Sequence, residues 1–239
     1  MNELYNILSI FLNGGLLLAC GLMLLFAVVP SCPLLGNYRK ARYMMAGAYL
    51  FFVAVEIAKY LFQSSPPDVG DIALKQTVTL AIAASQAFLF TFALLALLDV
   101  RFPGWGYIFR EATLVLLFIT VVFAAYAFCS GEIFKVVFYI FAALYALLLV
   151  RYTLLFLNSY RLFRLRMDNY FSDEEAGRLR WIAYSFCAAL AVGIMALLSS
   201  LFMSTLVALL FAVVFNIFYS YFAIRFINYA HQFQSIERA

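Results

Sequence analysis

The sequence predicts an all-α, polytopic membrane protein: a seven-transmembrane-helix bundle with its N-terminus outside and its C-terminus in the cytoplasm. Three observations predict it. Hydrophobic residues make up 67% of the 239 positions and charged residues only 12%, with a mean hydropathy of +0.99, an apolar excess that no soluble domain can hide. Apolar runs long enough to cross a hydrocarbon core, about 20 residues for roughly 30 Å, recur seven times. Basic residues collect between those runs on one side, as they do on the cytoplasmic face of membrane proteins.

The expected helices are approximately 8–29, 41–62, 74–98, 108–128, 133–167, 173–203 and 205–236. The first could be mistaken for a signal peptide, but Met1–Asn6 carries Glu3 and no Lys or Arg, so it reads as a retained helix. Helices one to four are separated by Pro30 and Pro33, by Pro66-Pro67 and by Pro103, and all five prolines therefore fall in loops or at helix ends. The apolar run after Trp181 is too long for one span. The cluster from Ser199-Ser200 to Ser204-Thr205 is the expected tight turn within it, although neither Gly nor Pro marks it.

Orientation follows from the cations. With the N-terminus outside, thirteen of sixteen Lys and Arg residues lie in cytoplasmic segments, leaving Lys59, Lys75 and Lys135 on the outer side. The stretch Asn158–Trp181 alone holds Arg161, Arg164, Arg166, Arg178 and Arg180. Within it, Ser172-Asp173-Glu174-Glu175 is a capping-box pattern, with Ser172 and Glu175 as the reciprocal pair. It predicts a helix starting near Asp173. Upstream, nothing breaks the helix through Met167, so a helical hairpin is expected to project into the cytoplasm. Its arginines either face phospholipid headgroups or contact a partner domain. Beyond Arg225, the spacing of Phe226, Tyr229, Phe233 and Ile236 makes a short heptad-like seam. Such a seam suits a homodimer through the C-terminal helix, transmission to a cytoplasmic effector domain, or an amphipathic helix lying on the bilayer.

Ionisable and polar groups inside spans are costly and are the candidates for ligand binding. Glu56 and Lys59, at i,i+3 spacing on one helix face, either pair with each other near the interface or line a polar pocket open to the outside. Asn13, Gln86 and Asn216 are the other deep polar residues, and interhelical hydrogen bonding accounts for them. Tyr219, three residues beyond Asn216, can join such a network.

No catalytic residues, metal ligands or cofactor are expected. HExxH, GxSxG and phosphate-cradling glycine motifs are missing. The four cysteines are dispersed and His231 stands alone, which argues against a disulfide framework or zinc centre. The cations lie at helix ends rather than on one soluble face, so direct nucleic-acid binding by these residues is not expected.

The run Asp168–Glu175, followed by Gly177-Arg178-Leu179-Arg180-Trp181, and the closing Phe226-Ile227-Asn228-Tyr229 resemble the multi-helix membrane region of membrane-anchored AraC-type helix-turn-helix regulators of Bacteroidetes. The resemblance implies a bacterial inner-membrane domain that anchors, and senses for, a cytoplasmic DNA-binding regulator lying outside these 239 residues. Three expectations follow. The first is a non-enzymatic sensor or signal-transducing domain. The second is a small transporter or channel using Glu56 as its coupling or selectivity group. The third is a purely structural anchor.

Overall fold

A computed structural model describes residues 10–27, 36–62, 69–98, 104–129, 131–170, 180–202 and 205–237. A π-helical turn, Ile10–Leu16, leads into seven α-helices: α1 (Leu17–Phe26), α2 (Gly36–Phe62), α3 (Val69–Leu98), α4 (Trp105–Phe128), α5 (Gly131–Tyr170), α6 (Arg180–Leu201) and α7 (Thr205–Glu237). No strand occurs among the described residues. Five helices, α3 to α7, are long and apolar enough to cross a membrane, so the chain is a membrane protein by the length and composition of its helices.

The architecture is a covered centre. Over Ala73–Leu98, 89% of the most apolar stretch of α3 is buried, against 17% for that of α4. A helix that is apolar all round can be satisfied only by neighbours on every side. In α3, Ala81, Ala83, Ala84, Ala93 and Ala96 keep the surface thin, and small residues let other backbones approach closely where lipid offers no hydrophobic drive. Helices α2, α4, α5 and α6 pack on α3 directly. From α7, the rings of Phe218, Tyr219 and Phe222 reach Phe90 at 5.5, 5.4 and 4.6 Å. The surrounding helices also touch in series, in the order α2, α1, α7, α6, α5, α4.

The two ends of the bundle differ. At the end bearing most of the arginines, hereafter the basic end, Tyr38 of α2 donates a hydrogen bond to the Phe226 carbonyl at 3.0 Å and stacks on the Phe226 ring. Burial pushes the Tyr38 phenol up to about 12, so it remains a donor at physiological pH. Trp181 of α6 packs on Phe222 and Tyr229, and Phe156 of α5 stacks face to face with Phe186 of α6 at 3.9 Å. The Arg42 guanidinium donates to the Ala27 carbonyl that ends α1, a favourable place for a cation at a helix C-terminus. At the opposite end, Gln76 donates to the Ser200 carbonyl at 3.0 Å. Nearby, a small cleft of about 40 Å³ is lined by Gln76, Lys135, Phe138, Tyr139 and Leu201, room for a few waters.

Large apolar side chains face outward along the helices: Phe109, Leu116, Leu147 and Ile217 are each at least 64% exposed. Acyl chains are the natural cover for such a surface.

A glycine sets how closely α1 approaches α2. A Cβ on Gly21 would meet the Tyr49 Cβ at 3.0 Å, whereas one on Gly47 would meet nothing within 4 Å. Gly21→Leu is therefore expected to destabilise the α1–α2 contact by about 1–3 kcal/mol, seen as a lowered Tm in detergent. Gly47→Leu is expected to leave Tm unchanged.

Candidate functional site

The middle of the bundle holds a chain of buried polar groups. The Gln86 amide of α3 donates to the Ala48 carbonyl of α2 at 2.9 Å. The Tyr219 hydroxyl of α7 donates to the Gln86 Oε1 at 2.8 Å, and the Tyr49 hydroxyl of α2 donates to the Tyr219 carbonyl at 2.6 Å. Gln86, Tyr49 and Tyr219 are 7%, 0% and 2% exposed. Three helices are thus tied at one level, and the Tyr49 and Tyr219 rings also meet edge to face, 5.1 Å apart. Hydrogen bonds of this kind in an apolar interior contribute about 0.6–2 kcal/mol each. Gln86 and Tyr219, two of the polar candidates in the sequence, are brought together here. Asn216, buried one turn before Tyr219, donates to the Ala212 carbonyl of its own helix at 2.8 Å.

The remaining candidates are not gathered around that network. Glu56 is half-buried on α2, seven residues or about 10 Å along the helix from Tyr49. Asn13 lies in the π-helical turn and Lys59 near the end of α2; the side chains of both are outside the described residues.

At the basic end, a second polar centre joins α4 to α5. Glu111 is 1% exposed and forms an ion pair with Arg151 of α5, while Arg110 approaches the same carboxylate at 3.9 Å. Tyr107, one turn earlier, lies near the Arg151 guanidinium and stacks beneath that of Arg110, 4.9 Å from the ring centroid. Tyr152, buried beside the pair, and Tyr107 both pack against Phe92 of α3, each at 6.1 Å. The second Glu111 oxygen and the Tyr152 hydroxyl are buried without a hydrogen-bond partner in the protein. A buried charge is costly unless it is paired and hydrogen-bonded, so Arg151 fixes how α4 sits on the bundle. Helix α4 has little other burial to hold it.

Sequence reading passed over Glu111, because Arg110 beside it served as an orientation marker and drew the charge outward. A usable clue was present: successive helical positions point about 100° apart, so Arg110 and Glu111 cannot share a face. With Arg110 at the surface, the carboxylate turns inward. Its partner, forty positions away, is set by the rotation of α5 and is not visible in the sequence.

The cytoplasmic output candidates separate in the same way. Arg161, Arg164 and Arg180 are exposed, and Arg166 lies within α5. Ser172, Glu175 and Arg178 fall outside the described residues. The turn expected at 168–171 needs correcting: α5 continues as helix to Tyr170, and only Phe171 of that stretch lies outside the described residues. The seam of the final helix needs correcting at its first two members. Phe226 is fully buried against Tyr38 and Phe222, and Tyr229 packs on Tyr38 and Trp181, so both belong to the bundle interior. Phe233 and Ile236 lie in the helical continuation, with side chains outside the description. No family model matches the chain, and no curated protein or solved structure matches it.

A thermodynamic cycle on the ion pair separates pairing from packing. Arg151→Met strands a buried carboxylate and is expected to cost roughly 1.5–3 kcal/mol, while Glu111→Gln costs less. The double substitution is expected to be more stable than the sum of the two single losses. Additive unfolding free energies would show that the two groups do not depend on each other.

Proposed function

We propose that this chain is a seven-span membrane domain that anchors a cytoplasmic regulator and relays conformational signals to it, with no enzymatic chemistry of its own. The carrying observation is helix length. Helix α5 runs unbroken for 40 residues, about 60 Å at ~1.5 Å per residue, twice the hydrocarbon thickness. Helix α7 runs for 33 residues, roughly 50 Å. Both therefore continue past the core at the basic end as stiff extensions of spans that pack inside the bundle.

In this reading α1 and α2 complete the set of seven spans, and the basic end faces the cytoplasm. The bias of thirteen cations to three supports N-outside and C-inside in a bacterial inner membrane. The polar network of Tyr49, Gln86 and Tyr219 supports a relay because it ties α2, α3 and the origin of the α7 extension at one level. A small shift of α2 or α3 would then be carried along a rigid helix rather than absorbed in a loop. The resemblance to membrane regions of AraC-type regulators suggests that the recipient is a DNA-binding domain, with nucleic acid contacted by that domain and not by these residues.

A relay requires two arrangements of the extensions relative to the bundle. Spin labels at Leu165 on the α5 extension and Ile224 within the α7 span, both exposed, report the position of that extension relative to the bundle in nanodiscs. The expected distance distribution has two populations whose ratio shifts when Tyr219→Phe removes the donor to Gln86. One narrow distribution, unmoved by that substitution, would support a passive anchor instead.

A further inference from the structure

The second polar centre has a feature that helix docking alone does not require: it holds two guanidiniums in fixed positions at the protein surface. Arg110 and Arg151 are 65% and 47% exposed in their side chains, while the Glu111 carboxylate they share is 1% exposed. The Tyr107 ring face lies under Arg110 and the Glu111 carboxylate holds Arg151, so both guanidiniums are ordered. Two cations against one carboxylate leave one net positive charge.

Depth says what meets that charge. Arg110 stands eighteen residues before α4 ends at Phe128, and Arg151 twenty residues after α5 begins at Gly131. At ~1.5 Å per residue both lie about 27–30 Å from the opposite end of the α4–α5 hairpin. That is the thickness of the hydrocarbon core, so the pair lies in the plane of one leaflet's phosphates. On the hydrocarbon side of the arginines, Leu114, Leu117, Leu147 and Val150 are all exposed, forming an apolar surface on which acyl chains can lie.

We propose that Arg110 and Arg151 form a specific binding site for the phosphate of an anionic glycerophospholipid, with its chains against the outer faces of α4 and α5. A monoanionic headgroup neutralises the net charge of the cluster, and planar guanidiniums suit bidentate recognition of a phosphate. A zwitterionic lipid brings the same phosphate with a compensating ammonium and gains less. Basic pockets between spanning helices on the cytoplasmic side are established headgroup sites. Assignment to the inner leaflet rests on the orientation proposed above; the site itself does not.

The test measures retention of phosphatidylglycerol and phosphatidylcholine on the full chain by native mass spectrometry from detergent, beside thermal unfolding. Wild type is expected to hold one phosphatidylglycerol at least tenfold more tightly than phosphatidylcholine. Arg110→Gln is expected to remove that preference at unchanged Tm, with Arg110→Lys intermediate. An unchanged preference in Arg110→Gln overturns the site, and equal protection by millimolar inorganic phosphate overturns the lipid in favour of a soluble anion. A second measurement on wild-type protein does not depend on any variant folding. Photoactivatable phosphatidylglycerol is expected to label α4 and α5 around Leu114, Leu117, Leu147 and Val150, and labelling confined to other helices contradicts the proposal. A reversed orientation would move the label to the other leaflet without moving it on the protein.

Discussion

Helix α3 must be covered on every side, and most of the structure answers that requirement. Its apolar character extends round the whole circumference, and from Leu80 to Leu98 no residue is exposed. A helix with no polar face cannot sit at the edge of the bundle without wasting its small residues, which pack well against backbone and poorly against lipid. The aromatic rings of α7 and the direct contacts of α2, α4, α5 and α6 follow from this. So does the position of Gln86: an amide on a fully enclosed helix has to find its partners in the protein, and the Ala48 carbonyl and the Tyr219 hydroxyl provide them.

The outer helices are held on other terms. Helix α4 shows most of its apolar surface outward, so it gains little from burial and depends on a small number of strong contacts. The Glu111–Arg151 pair is the strongest of these, and Tyr107 and Phe92 connect it to α3. A charge placed there is expensive to misplace, which gives the α4–α5 hairpin one register on the bundle. The same expense explains why the arginines are ordered while still reaching the surface. Fixed cations at the edge of the hydrocarbon are a structural consequence of anchoring a sparsely buried helix, and they become a binding element once a phosphate lies in the same plane.

How much of this could be read in advance follows from what each feature depends on. Apolar run length depends on local composition, and the seven runs fall on seven helices, including the junction between α6 and α7 where no Gly or Pro marks the turn. Gln86 and Tyr219 stood out as polar groups in apolar surroundings. Tyr49 did not, because a tyrosine in an aromatic-rich span reads as packing until its hydroxyl is seen 2.6 Å from a carbonyl. Glu111 was hidden by its neighbour, and its partner choice depends on the rotational setting of α5. Phe226 and Tyr229 repeat with a spacing that fits either a dimer seam or a buried stripe. Which one forms depends on Tyr38 and Trp181, residues far away in the chain.

The functional reading depends on the basic end of the bundle being the side from which α5 and α7 enter the cytoplasm. Thiol accessibility across the membrane addresses this directly. With the four native cysteines replaced, single cysteines are placed at Leu165 on the α5 extension and at Ile133 at its other end, both exposed positions. A membrane-impermeant maleimide is expected to label Ile133→Cys in intact spheroplasts and Leu165→Cys only after the membrane is opened. Labelling of Leu165→Cys from outside, with Ile133→Cys protected, would reverse the bundle and contradict the account.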